Sequence, residues 1–332
     1  MNRTNRMRSV SLGLAALTCL SISLGQTPPS AAVTGSAYSA PVPFAIAPGA
    51  LTTIFVQGLG NGITGVVQAS GLPLPTKLSG ISVSLRQTES PQGPLPVPIL
   101  AVFPVQECRT AVFPSCGKLT GINIQVPFEL IPNPSLVDPA LSPTNYAQLV
   151  IQEDGGAQVT VEATPVFDRI HVLWTGDTLK NPAAANVTRP IPDFSSSKPI
   201  VTHADGSVVT AANPANVGET LVMYATGLGW MLPLPRSGAA TPNPPPAGPA
   251  RIAFDFTPDA LPSLPVMYAK APSFAGLTPG FAGLYQVNFV VPELPPGYNW
   301  RCGLVGTNLT VSIGVKTSFD GAGICVDIPG SQ

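Results

Sequence analysis

Two histidines, five cysteines and seventeen carboxylates are the side chains of this 332-residue sequence with the most obvious chemistry. Nucleophilic hydrolysis needs a serine or cysteine beside a base that a third group orients. Each histidine has one carboxylate close by in sequence: Asp168 for His171, and Asp205 for His203. His171 falls in the alternating run Phe167-Asp-Arg-Ile-His-Val-Leu-Trp174. On a strand, Asp168, three residues away, faces the opposite side from it. Asp205 precedes Gly206, where a short acidic side chain caps a hairpin turn. No Gly-x-Ser-x-Gly elbow occurs, and Ser195-Ser-Ser-Lys198 lies in a polar loop rather than at a helix start. Two carboxylates could hydrolyse a glycoside, yet no motif singles out a pair among the seventeen. A calcium site wants six or more oxygens, whereas Glu153-Asp154 and the lone Asp320 are explained by turns. The sequence assigns no catalytic residue, no cofactor and no metal.

The cysteines point to bridges rather than reactivity. Arg3, Arg6 and Arg8 open the chain, an apolar run spans Val10 to Leu24, and the small residues Ser23 and Gly25 precede Gln26. This is the pattern of a signal peptide over 1–25, cleaved before Gln26. An uncleaved anchor is the rival reading, and Cys19 sits behind a poor lipobox because Thr18 is too large. After cleavage no membrane span remains. The mature chain is expected to be secreted or held at the cell surface, with the periplasm as the other compartment. Four cysteines then remain, Cys108, Cys116, Cys302 and Cys325. An even count in an exported chain favours disulfides. Three pairings are open, of which the local ones, Cys108–Cys116 and Cys302–Cys325, are the simplest. Metal binding would need tighter spacing or nearby histidines.

Composition narrows what could carry these residues. Charged residues make up 10% and the net charge is -1, which disfavours a nucleic-acid binder. Forty prolines and thirty-two glycines make long helices unfavourable, because an interior proline removes a hydrogen bond and clashes with the preceding turn. The 44% hydrophobic content is too high for a disordered chain. Short strands joined by turns satisfy all three facts.

The sequence also repeats. Thr53–Gly60 matches Val222–Gly229, the alternating Ile81, Val83, Leu85 match Ile252, Phe254, Phe256, and Pro98-Ile-Leu100 matches Pro265-Val-Met267. Ile122–Pro127 matches Val287–Pro292, and Asp154-Gly155 matches Asp320-Gly321. The offsets by subtraction are 169, 171, 167, 165 and 166. Five ordered matches at nearly constant offset read as two homologous units. The expected organisation is a Pro-rich extended linker over 26–43, a first unit over 44–165, a connector strand and loop over 166–197, a second unit over 198–328 and a tail over 329–332. Alternation over Gln158–Glu162 and Leu309–Val315 marks half-buried strands. The Asp-Gly pairs at 154, 205 and 320 fit hairpin turns. About seven short strands in about 120 residues is the size of an immunoglobulin-like sandwich. The fold class is therefore read as all-β: two tandem immunoglobulin-like β-sandwich domains. Gly58-Leu-Gly60 and Gly227-Leu-Gly229 read as turns with a leucine plug, since a phosphate cradle would need a following helix.

At this point the residues resemble a family. Asp205-Gly-Ser207, Ala212-Asn-Pro-Ala215, Tyr224–Gly229 and Leu277–Asn288 resemble a C-terminal domain of uncharacterised function found in secreted acidobacterial proteins of the Solibacter type. Ile122–Pro127 is similar to its first-half signature. The resemblance covers roughly 44–327. It implies an exported protein with two modules similar to the IPT/TIG branch of immunoglobulin-like folds, and it implies no catalytic residues. The sequence departs from it in the insert at 175–197, the Cys108–Cys116 loop and the elongated end holding Cys302 and Cys325. It also lacks the larger N-terminal region that often precedes the domain.

Recognition falls to loops, aromatics and strand edges, since an edge strand can accept a partner strand. Trp174, Trp230 and Trp300 read first as core or loop packing, and Trp300 lies beside Cys302. Trp230 follows the second Gly-Leu-Gly turn and precedes a Pro-rich loop over 233–249; with Arg236 it is the choice for a ligand-binding loop. The expected role is structural or adhesive, without catalysis, towards an envelope protein or a polysaccharide. A carbohydrate-binding module and a cryptic hydrolase are the alternatives.

Overall fold

The computed structural model describes residues 32–36, 44–88, 90, 93–107, 117–133, 146–175, 177, 198–264, 270–303 and 306–328. Among these residues all helices and strands are β-strands, and no helix is long and apolar enough to cross a membrane. The strands form four sheets. The first runs β1 (Ala32–Ser36), β3 (Leu51–Gln57), β9 (Gly117–Gln125), β8 (Ile99–Glu107), β4 (Val67–Gln68). The second runs β2 (Ala45–Ile46), β11 (Gln158–Pro165), β10 (Ala147–Glu153), β6 (Ile81–Gln87), β5 (Lys77–Leu78), with β7 (Leu95–Pro96) also on β6. The third runs β12 (His171–Val172), β14 (Thr220–Thr226), β17 (Tyr285–Val290), β16 (Phe274–Leu277), with β13 (Val201–Thr202) also on β14. The fourth runs β15 (Arg251–Asp255), β18 (Leu309–Gly314), β19 (Phe319–Ile324).

Alternation decides which residues turn inwards. Ile81, Val83 and Leu85 of β6 are buried while Ser82 and Ser84 are half-buried; Tyr285, Val287 and Phe289 of β17 alternate with Gln286 and Asn288 in the same way. These faces build two main cores, one per half of the chain. Phe128 is the exception, because it follows β9 of the first half yet is buried in the core of the second.

The two halves pair their strands alike. Thr53 lies opposite Asn123, and Val222 opposite Asn288, which are residues that the sequence repeat equates. Ala32 lies opposite Gln57, and His171 opposite Thr226. In each half the chain then crosses over to run parallel to the last strand of the other sheet, at Ala45–Thr164 and Ala215–Val326. Glycine is required where the second Gly-Leu-Gly turn meets the incoming chain. A Cβ on Gly227 would lie 2.0 Å from the Arg169 carbonyl oxygen and one on Gly229 2.2 Å from that of Phe167, and both have φ near +80°. Leu59 and Leu228 are buried between the glycines of their turns.

Four readings of the sequence change. Part of the expected linker, Ala32–Ser36, is a strand on β3; its backbone donors and acceptors find a ladder although its sequence lacks apolar alternation. Asp320-Gly321 is not a turn but lies within β19, where Asp320 faces Ile313 across the ladder. The connector strand is shorter than Phe167–Trp174 and belongs to the third sheet, since only His171–Val172 pairs with β14. The residues matching Pro98-Ile-Leu100, Pro265-Val-Met267, lie outside the described residues, and the strand that pairs as β8 does is β16. Chain 173–200 leaves after β12 and returns at β13. It is closed at its base by a Trp174–Pro199 bridge and by Ile200 N donating to Leu173 O at 2.7 Å.

Candidate functional site

Both histidines are held by carboxylates. His171 Nε2 is 3.0 Å from Asp177 Oδ2, and its Nδ1 is 3.4 Å from Asp320 Oδ2. Burial alone pulls the imidazolium down, but hydrogen bonds to Asp177 and Asp320 outweigh it and push the pKa up to about 9. At neutral pH the ring is therefore held as a cation between two carboxyl groups, not as a free base. The same carboxylates also hold backbone: Asp177 Oδ2 accepts Trp174 N at 2.6 Å and Asp320 Oδ2 accepts Val172 N at 2.8 Å. His203, half-buried, is held by a single carboxylate. Its Nδ1 is 2.5 Å from Glu219 Oε1, and although burial lowers its pKa, that hydrogen bond carries the net shift upwards. Asp205 caps its own turn by accepting Ser207 N and Oγ, which lowers its pKa.

Asp168 lies before β12 rather than on it, so strand alternation does not place it, and it clasps a hairpin. Its Oδ2 accepts Lys316 N and Thr317 N, both at 2.9 Å, and its Oδ1 accepts Ser318 N and Ser318 Oγ, both at 2.7 Å. Lys316 Nζ lies 3.5 Å above the Phe167 ring, a cation–π contact. The connector is thereby fixed to the β18–β19 hairpin. Among the described residues no three His, Cys, Asp or Glu are grouped to hold a metal ion.

Cys302 and Cys325 form a disulfide with Cα atoms 5.3 Å apart. Cys108 and Cys116 lie outside the described residues. Beside the disulfide is a cleft of about 650 Å³. Trp174 and Lys198, from the base of the 173–200 insert, form one wall, and Asp259, Leu261 and Thr307 line it as well. Asp259 Oδ1 accepts Thr307 N at 2.9 Å, which fixes two of the polar groups that line it. Gly321 and Gly323 of β19 also line the cleft. A Cβ on Gly323 would sit 2.3 Å from Thr307 Oγ1, so glycine lets that chain lie against the strand. Lys198 has no acidic partner among the described residues.

Trp230 and Arg236 lie where the two halves meet. Trp230 remains 43% exposed, but its Nε1 donates to Phe128 O at 2.8 Å across the junction. Ser237 Oγ accepts Phe128 N at 2.8 Å and donates to Glu129 Oε2 at 2.5 Å. Gly238 N donates to Gln125 Oε1 at 2.6 Å, and Leu51 N to Thr226 Oγ1 at 2.7 Å. At the centre the buried hydroxyl of Tyr285 donates to Gly229 O, and burial holds its pKa far above the usual phenol value. Gly49, at φ +72°, admits this ring, because a Cβ there would lie 2.4 Å from Tyr285 Oη. Arg236 lines a second cleft, of about 570 Å³, with Leu72, Leu74 and Glu129.

Sequence reading missed the seam, since its contacts join residues up to 237 positions apart. One local signal was available: Leu-Pro-Leu-Pro occurs at 72–75 and again at 232–235, and both stretches lie by the junction. Compared with known proteins, the chain matches no family model and no curated protein.

Proposed function

We propose that this is an exported, non-catalytic structural or adhesive protein of the cell surface or extracellular matrix. It is built from two immunoglobulin-like β-sandwich modules and binds its partner through loops or strand edges. The observation that carries the reading is the hydrogen-bonded seam centred on Tyr285, which fixes one half on the other through buried groups. A fixed pair of modules presents loops at a set spacing, which suits a spacer or adhesin. The matching strand register of the halves supports the immunoglobulin-like assignment. The Cys302–Cys325 bridge fits an oxidising compartment, and the resemblance to secreted acidobacterial domains agrees with export. Both histidines serve as clamps, which favours scaffolding over hydrolysis. The test is retention of the mature chain, from Gln26, on envelope fractions and on insoluble polysaccharides. Saturable retention on envelope protein supports adhesion; no retention on either removes it.

A carbohydrate-binding module is the second reading, and the Trp174 cleft favours it. An indole face beside fixed polar groups suits a pyranose, whose C–H face stacks while its hydroxyls hydrogen-bond. Retention on a polysaccharide that free sugar competes away, and that Trp174→Ala abolishes, would select this reading.

A further inference from the structure

The two Leu-Pro-Leu-Pro loops form one face at the junction of the halves. Leu74 N donates to Gly238 O at 2.8 Å, so the loop from the first half is tied to the segment that follows the second. Around this tie the chain leaves apolar side chains in solvent: Leu72 is 41% exposed, Leu234 50% and Leu232 75%. The backbone of Leu232 is nonetheless held, since its N donates to Ala247 O at 2.9 Å and its carbonyl accepts Ala247 N at 3.1 Å. A large side chain standing free on an ordered backbone is a preformed contact, because little conformational freedom remains to be lost on binding. Leu72 lines the neighbouring cleft and Leu234 stands two residues from Arg236, which lines it too; exposed apolar side chains gathered in this way mark an interaction site.

The same face carries a hole and two charges. The 570 Å³ cleft is lined by Leu72, Leu74, Arg236 and Glu129. Leu234 is two residues from Arg236, within about 7 Å along the chain, so knob and hole are neighbours. Arg236 is exposed and has no acidic partner among the described residues. Glu129 uses Oε2 to accept Ser237 Oγ, leaving Oε1 for a second donor. A knob, a hole, one cation and one anion on a single face are what a two-fold contact requires, because each copy must present both complements.

We propose that this face joins two copies of the chain. Leu232 and Leu234 of one copy enter the cleft of the other, and Arg236 of each meets Glu129 of its mate. The inference goes beyond the adhesive reading and does not depend on export or on a glycan. A sugar is disfavoured as occupant because no aromatic residue lines this cleft, and an anionic lipid surface because the two charges cancel.

The experiment is sedimentation equilibrium of the mature chain from about 1 µM to about 500 µM, which spans micromolar to sub-millimolar dissociation constants. A concentration-dependent dimer is expected. Leu232→Glu should weaken it at least about tenfold, as truncating an anchor residue does, with an unchanged melting temperature since the side chain is exposed. Arg236→Glu should weaken it by placing like charges together, and Arg236→Lys should do so less. A monomer throughout the range, or a dimer that Leu232→Glu and Arg236→Glu leave unchanged, overturns the proposal. A monomer that instead pellets with phosphatidylcholine vesicles, or binds a polyproline peptide, assigns the face to that occupant and also overturns it.

Discussion

The phenolic oxygen of Tyr285 lies 2.7 Å from the carbonyl oxygen of Gly229 and is its hydrogen-bond donor. Pro48 O, from the other half of the chain, is 3.2 Å from the same hydroxyl. Tyr285 is fully buried, so no water replaces this donor. Tyr285→Phe keeps the ring and leaves two carbonyls without it. The expected cost is about 1–3 kcal/mol, the desolvation penalty of unpaired buried polar groups. Urea unfolding followed by circular dichroism reads it. A variant as stable as the parent would show that the hydroxyl does not hold the junction.

The strands are legible in sequence where the signal is local, and lost where it is not. Ile81, Val83 and Leu85 alternate within one strand, so periodicity alone finds β6. Asp320-Gly321 carries a local turn signal that the ladder overrides, because β19 continues through it opposite Ile313 and Ser312. Ala32–Ser36 has no apolar alternation, and pairing with β3 makes it a strand. The junction is the least legible part. Gln125 and Gly238 are 113 residues apart, and nothing near either residue announces the other. Distance in sequence likewise hid Asp320, 149 residues on (320 − 171), as a partner of His171, where only neighbours such as Asp168 could be weighed.

His171 makes stability depend on pH. Its pKa rises from 6.5 to about 9 in the folded chain, so the folded state holds the proton more tightly than the unfolded one. Its contribution is complete below about pH 6.5 and is lost as pH rises through about 9. The contribution is on the order of 3 kcal/mol at most, from the size of the shift. His171→Gln should lower stability at pH 6 and flatten the fall between about pH 6.5 and about pH 9 relative to the parent. Melting temperatures of both proteins across that range decide it. Parallel curves would mean that Asp177 and Asp320 do not hold a charged ring.

Reduction should act on one defined loop. Cys302 and Cys325 are 23 residues apart, and closing a loop of that length is worth about 3 kcal/mol through the unfolded state. Cys325→Ser should lower stability by about that amount. Peptide mapping without reduction should recover the 302–325 link. The same map tests the Cys108–Cys116 pairing expected from sequence, since a link between the halves would exclude it.

Asp168 gives the sharpest contrast between a clasp and a catalytic carboxylate. Four donors from Lys316, Thr317 and Ser318 converge on its two oxygens, and the residue is 1% exposed. Asp168→Asn keeps the shape but offers one acceptor oxygen, and its amide then faces donors. Asp168→Ala removes every acceptor and strands three backbone N–H groups of the β18–β19 hairpin. The expected loss for Asp168→Ala is about 1–3 kcal/mol, because several part-buried donors lose their acceptor together. Hydrogen exchange should show faster exchange at Lys316, Thr317 and Ser318, and at Ile170, whose N–H donates to Ser318 Oγ. If exchange rises across the whole chain but not first at these amides, Asp168 is not what fastens the connector to the hairpin.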